Sequence, residues 1–275
     1  MIISVYCMSG AGNIFSVIDN RNTRFSIETL QKLTPLLCSE SCSQSTEGCI
    51  VMNDGNANND FIVDFFNPDG SYGAMCGNGA RCAVRFAESL GIITKNDVVF
   101  TMANTQYSAR FVGNEIVVNF PPPIDITAEK MVAVNDCVVQ GGYVNVGSDH
   151  FIVEMPRDGF SDIDLENFAR PLRYHDDFLP RGVNVNISTF HNMAILIRTY
   201  ERGVEAETGA CGTGAISTAL YYALKYQIPS PIKLIPTSGQ QLTVGFDRND
   251  DTIFSNVYLQ GSAEFLETVS VDVPV

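Results

Sequence analysis

A chain of 275 residues with 45% hydrophobic and 17% charged side chains carries enough apolar material for one large or two medium globular domains, which excludes a disordered protein. A formal charge of −14 sets it against polyanions, so neither nucleic acid nor an anionic membrane surface is expected as a partner. No apolar run approaches the roughly 20 residues of a membrane span, and the opening MIISVYCMSGAGN lacks the pattern of a secretion signal, so a cytoplasmic protein is expected.

The predicted elements follow in chain order. SIETLQKLTPLL, from Ser26, reads as a helix. FIVDFFNPDG (61–70) is a strand running into an Asn-Pro-Asp-Gly turn. AMCGNGARCAVRFAESLG (74–91) is a helix opened by Gly-Asn-Gly, with Ala80, Val84, Ala87 and Leu90 on one stripe. NEIVVNFPPP (114–123) is a strand stopped by three prolines, which mark a domain boundary. SDIDLENFARPL, from Ser161, reads as another helix. GVNVNIS (182–188) alternates, sending Val183, Val185 and Ile187 to a core and leaving Asn184 and Asn186 on a face open to polar contacts. MAILIRTYERG (193–203) is a buried strand ending in a Glu-Arg-Gly turn. GACGTGAISTALYYALKY (209–226) is a helix with Ile216, Leu220, Ala223 and Leu224 on its apolar stripe, opened by the same Cys-Gly-x-Gly grammar as the earlier one.

Eight cysteines in a chain of this length, without a secretion pattern, argue against a disulfide scaffold and make most of them small core residues. Cys82 belongs with these, on a different face of its helix from Cys76. Cys38, Cys42 and Cys49 lack a second Cys-x-x-Cys pair and a nearby histidine, so no metal site is expected. Cys76 and Cys211 stand apart. They lie about half the chain from one another, each before a glycine-rich helix start, which implies two similar α/β halves.

The first turn of a helix has backbone N–H groups without intrahelical partners, and its macrodipole favours negative charge. A thiol placed there is pushed toward thiolate. The flanking glycines let the same N–H groups approach a carboxylate. Two such cysteines suit a two-base reaction at an amino-acid α-carbon, in which a thiolate takes the proton from one face and a thiol returns one to the other. No pyridoxal-type lysine motif is evident, and no cofactor is expected.

MCGNGARC and YERG…ACGTGA, with FNPDG, GVNVN and SGAGNIF, resemble the cofactor-independent diaminopimelate epimerases of bacterial lysine and peptidoglycan synthesis. The resemblance implies an α/β (α+β) fold of two pseudo-symmetric domains, each a mixed sheet or half-open barrel around a central helix, with the active site in the cleft between them. The expected domains are residues 1–122, completed by 262–275, and residues 123–261. A homodimer is implied, acting on a small amino acid. By position, Cys76 and Cys211 would be the two bases. Gly77, Asn78, Gly212 and Thr213 would hold the reacting carboxylate. Asn13, Asn67, Asn184, Glu201 and Arg202 would line the substrate pocket, with Arg202 on the distal carboxylate. His150 and Glu201 would help set the protonation of the cysteines.

Four departures bear on substrate range. Ile14 stands where the family has Asp, and Gly48 where it has Gln. Ser148 and Asp149 stand in place of Asn-Pro, and the run before Cys211 is one residue longer. They raise the expectation of a looser pocket that also takes shorter acidic amino acids such as glutamate. Two other classes remain at this stage: an isomerase of the proline racemase kind and a thiol-disulfide protein.

Overall fold

The computed structural model describes residues 1–249 and 253–274. The chain divides into two compact units, one of Met1–Asn119 with the segment from Gln260 onward, the other of Phe120–Leu259. The first unit contains β1 (Ile2–Gly10), β2 (Asn13–Asp19), α1 (Asn20–Thr23), α2 (Ile27–Glu40), β3 (Cys49–Asn56), β4 (Asn59–Phe66), α3 (Gly77–Ser89), β5 (Asp97–Met102), β6 (Thr105–Val112) and β7 (Glu115–Asn119). The second contains β8 (Asp125–Val134), β9 (Cys137–Asn145), β10 (Asp149–Glu154), α4 (Leu165–Arg173), β11 (Asn184–His191), β12 (Ala194–Glu201), β13 (Ala206–Thr208), α5 (Gly212–Tyr226), β14 (Ile232–Ile235) and β15 (Leu242–Arg248). β16 (Phe254–Gly261) runs from the second unit into the first at Gln260, and β17 (Glu264–Asp272) belongs to the first.

Strand pairing shows the duplication directly. In the first unit β1–β2 is antiparallel, β2–β3 parallel, β3–β4 antiparallel, β4–β5 parallel and β5–β6 antiparallel. In the second the same series runs β9–β10, β10–β11, β11–β12, β12–β14 and β14–β15. Helices fall at equivalent points, because a parallel connection needs a crossover: α2 and α4 make the first, α3 and α5 the second. A flanking antiparallel strand completes each series, β17 on β1 and β8 on β9. The α/β class and the pseudo-symmetric halves expected from the sequence are the ones the chain forms.

Each unit wraps its sheet around one helix. α3 contacts β1, β2, β3, β4 and β7, and α5 contacts β8 to β12, β14 and β15. A helix enclosed this way is buried on every side, not on a single stripe. In α3, residues Gly77 to Val84 are all buried, as are Phe86 and Ala87, whereas Leu90 is the C-cap beyond the helix. Among the described residues no helix is long and apolar enough to cross a membrane.

Two expectations are corrected by the fold. The helix predicted from Ser161 begins at Leu165, because the Asp164 side chain caps it by accepting from the Asn167 N–H, and Ser161 lies in a separate 3₁₀ turn, Phe160–Asp162. The asparagine face of GVNVN makes polar contacts inside its unit: Asn184 is 4% and Asn186 0% exposed, and they bond Ser148, Asp149, Arg202 and His150. A disulfide joins Cys7 to Cys42, with Cα atoms 5.8 Å apart, although no disulfide was expected. Cys42 follows α2, and the packing of that segment brings it to β1 across 35 residues of chain, a proximity that cysteine counting cannot reveal. Cys38 and Cys49 are buried thiols, and burial pushes both thiols up from their ordinary range. Among the described residues no three His, Cys, Asp or Glu side chains gather as a metal-ligand set.

Candidate active site

Cys76 and Cys211 occupy the same position in the two units. Each is the N-cap of its unit's central helix, with φ and ψ of −111° and 111° at Cys76 and −106° and 115° at Cys211. Each sulfur accepts the backbone N–H three residues on, Gly79 or Gly214, at 3.4 Å. The cap position is ordinarily filled by Ser, Thr, Asp or Asn, so a sulfur here places an acid–base group where N–H groups and dipole favour its anion. Close approach explains two glycines. A Cβ at Gly10 would come within 2.6 Å of the Asn78 carbonyl oxygen, so β1 can cross the first turn of α3 only as glycine. A Cβ at Gly214 would meet Asn186 Oδ1 at 3.0 Å and the Cys211 Cβ at 3.1 Å.

Beneath Cys76 lies an arginine that sequence reasoning missed. Arg81 is 0% exposed and donates to the Ser262 carbonyl at 3.2 Å, the Gly77 carbonyl at 3.2 Å and Asn78 Oδ1 at 2.7 Å. The Arg81 bond to Oδ1 fixes the orientation of the Asn78 amide. Burial pushes the Arg81 guanidinium down to about 10, which leaves it charged at neutral pH, where its field favours the anionic form of the Cys76 sulfur. The available sequence signal was a lone charged residue, four positions into a turn otherwise built of Gly, Asn, Ala and Cys. Cys82 is core, as expected, and burial pushes its thiol up to about 12.

Asn13 is 3% exposed and donates from Nδ2 to Glu47 Oε2 at 2.5 Å. A carboxylate thus reaches this corner from Glu47 although Ile14 removed one from the adjacent position. A Cβ at Gly48 would lie 2.6 Å from the Phe65 ring, so an aromatic side chain fills the space where the family has glutamine. Asn67 is exposed in its turn, where it accepts from the Gly70 N–H through its carbonyl and donates from its side chain to Ser71 at 2.9 Å.

The surroundings of Cys211 are different. The Glu201 carboxyl is buried, which raises its pKa, while hydrogen bonds from Thr208 and Cys211 pull the other way. Thr213 Oγ1 lies 3.6 Å from Cys211 Sγ and 3.0 Å from His150 Nε2. On the far side of the ring, Asn186 Nδ2 lies 3.1 Å from His150 Nδ1. An amide nitrogen only donates, so Nδ1 accepts, Nε2 carries the proton and donates to Thr213, and the Thr213 hydroxyl is left to donate to the sulfur. Asn186 is a second residue that sequence reasoning placed on a polar face without a role.

Burial lowers His150 from its ordinary 6.5 to about 3, so the ring is neutral in the folded protein. The unfolded chain takes up a proton near 6.5, hence this contribution to stability is complete above that pH and is lost as pH falls from 6.5 toward 3. The loss runs at up to about 1.4 kcal/mol per pH unit. The variant His150→Gln is expected to show a shallower fall in unfolding free energy between these pH values than the parent. Equal slopes in urea titrations would show that His150 is not the group responsible.

The Asn184 amide donates to Ser148 Oγ and the Asp149 carbonyl, both at 2.8 Å, and its Oδ1 accepts the Arg202 backbone N–H at 2.9 Å. The longer run before Cys211 folds back as a hairpin, β12 on β13, with Glu201 opposite Ala206 and Thr199 opposite Thr208. Within its unit the fold thus brings together Cys211, Thr213, His150, Glu201, Asn184 and Arg202. In the other unit it brings together Cys76, Gly77 and Asn78 on one helix start.

A family profile described as diaminopimelate epimerase matches residues 5–118. The diaminopimelate epimerase of Aquifex aeolicus is 35% identical over 267 residues, covering 93% of this chain and 92% of its own. That of Hydrogenobaculum is 35% identical over 272 residues, covering 95% of each chain. Among solved structures, a Bacillus anthracis phenazine biosynthesis protein of the PhzF family aligns over 99% of this chain and 100% of its own, with a TM-score of 0.75 at 12% identity. A hydroxyproline epimerase from Agrobacterium vitis aligns over 99% and 94%, with a TM-score of 0.71 at 13% identity. At those identities the two structures speak for the fold alone.

Proposed function

The chain belongs to the diaminopimelate epimerase family, and from that premise we propose that it is an isomerase that inverts one α-carbon of LL-diaminopimelate to give the meso form, by a two-base exchange between Cys76 and Cys211. The observation that carries the reading is the matched pair of sulfur N-caps, each holding its sulfur on a backbone N–H at 3.4 Å. In the forward step one sulfur takes the α-proton as the other delivers one to the opposite face, and the roles reverse in the return direction. The carbanion requires charge stabilisation at the reacting carboxylate, for which the backbone N–H groups opening α3 and α5, those of Asn78 and Thr213 among them, are the donors. No added cofactor takes part.

The two sulfurs have unlike neighbours, and that supports a division of labour. Arg81 places positive charge near Cys76, whereas Cys211 donates to the Glu201 carboxyl. In the resting enzyme Cys76 is therefore the thiolate and Cys211 the thiol. Glu201 and the His150–Thr213 pair govern the Cys211 proton, and Arg202 receives the distal carboxylate as a bidentate fork. Asn13, Asn67 and Asn184 shape the remainder of the pocket, Gly77 and Gly212 keep the helix starts bare, and the altered positions extend turnover to glutamate. The enzyme serves lysine and peptidoglycan synthesis in the cytoplasm, as a homodimer.

Proton NMR of the reduced protein in deuterated buffer, without cofactor, tests this. Loss of the α-proton signal from LL-diaminopimelate with growth of the meso isomer is the expected result, with slower loss from L-glutamate. Exchange with diaminopimelate alone removes the broadened range and leaves the main reading. Exchange with neither substrate overturns it.

A further inference from the structure

Asp149 opens β10 and is held by more polar neighbours than any structural need of a strand end explains. Its carboxylate is 6% exposed and accepts from Tyr143 Oη at 2.6 Å, Asn145 Nδ2 at 3.0 Å, Arg181 Nε and Nη2 at 2.8 Å each, and Arg202 Nη1 at 3.3 Å. Arg202 Nη1 also donates to the carbonyls of Gly182 at 3.3 Å and Arg181 at 3.4 Å. Among the described residues, the Nε and Nη2 edge of Arg202 makes no hydrogen bond to protein. The backbone of Arg202 is tied to the same place, since its N–H bonds Asn184, whose amide bonds the Asp149 carbonyl.

We propose that Asp149 is a positioning and specificity-determining residue, which clamps the Nη1 corner of Arg202 so that its Nε–Nη2 edge is presented to the terminal carboxylate of a dicarboxylic amino acid. This rests on the epimerase reading and goes beyond it, because the resembled sequence pattern has proline at this position and so has no carboxylate there. Arg181 makes the arrangement workable. It takes the Asp149 carboxylate in a bidentate grip, so most of that negative charge is answered by Arg181, and the three groups together keep one net positive charge for an incoming anion. Desolvation of Asp149 is outweighed by these hydrogen bonds and by both arginines, which hold the carboxyl near 2 and keep it ionised at any working pH. Arg181 is itself 64% exposed, so the chain can lose it without opening its core.

The test is steady-state epimerisation of diaminopimelate by Asp149→Asn and Arg181→Gln. The amide of Asp149→Asn cannot accept from both arginines and directs an N–H at one of them, so Arg202 loses its fixed corner. We expect KM to rise about tenfold or more, as for loss of a positioned charged contact, with kcat within about threefold of the parent. Removing the Arg181 grip turns the Asp149 charge onto Arg202, and the same KM effect is expected. Arg181→Gln decides the matter if Asp149→Asn does not fold. Unchanged KM in the folded variants, or a fall confined to kcat, overturns the role of Asp149. Absence of α-proton exchange in the unsubstituted protein overturns the epimerase reading itself, and with it this role.

Discussion

Replacing Cys76 or Cys211 by serine is expected to lower kcat/KM for diaminopimelate by about a thousandfold or more, the scale set by loss of a positioned proton-transfer group. Each sulfur is asked both to leave as thiolate and to return as thiol, and an alcohol is far too weak an acid to do so beside one helix start. Folding will not confuse the result. Serine is a better N-cap than cysteine, and at both positions the cap bond to Gly79 or Gly214 can be remade by the hydroxyl, so the melting temperature should hold or rise. A second measurement separates one base from two. In deuterated buffer, early turnover should place deuterium in the product and not in the recovered substrate, because the sulfur that takes the proton is not the one that delivers its replacement. Parent-like rates in either serine variant would sink the two-cysteine assignment.

Arg81→Met carries the next largest effect, on stability as well as rate. The methionine stem fills much of the same channel, yet the Gly77 and Ser262 carbonyls and Asn78 Oδ1 each lose a charged donor in a site closed to water. Removing donors from buried acceptors costs about 1–3 kcal/mol apiece, against which recovered desolvation of the guanidinium is set, so a net loss of about 3 kcal/mol in urea unfolding is expected. Activity falls further than stability accounts for, since the Asn78 amide is no longer oriented and the positive charge near Cys76 is gone. Arg81→Lys should rescue little, because one ammonium cannot reproduce a fork spread over three acceptors. A variant within about 1 kcal/mol of the parent, with unchanged kcat, would show that Arg81 is ordinary packing.

Much of this was legible before any fold was known. The sulfur caps could be read because a helix start is written within one turn: Cys-Gly-x-Gly followed by small and apolar residues leaves the chain few other things to be. The duplication followed from the recurrence of that short pattern, and the strands from alternation and turn residues. At 161 the reading failed because two cap signals, Ser161 and Asp164, compete within three residues, and the side chain that reaches an N–H decides between them. At GVNVN alternation told which residues share a face and not what covers that face.

What the sequence by itself determined was therefore the set of properties carried by neighbours in the chain: the α/β class, the two halves, the cysteines at the helix starts and the family resemblance. Tertiary structure alone decided which distant groups meet. It put Arg81 beneath Asn78, joined Cys7 to Cys42, set Glu47 on Asn13, filled the place opposite Gly48 with Phe65, and drew Arg181 and Arg202 onto Asp149. Helix caps depend on bonds three residues apart, which local residue types specify. The second set depends on strand register and core packing summed over the whole unit, and no short stretch of sequence contains that sum.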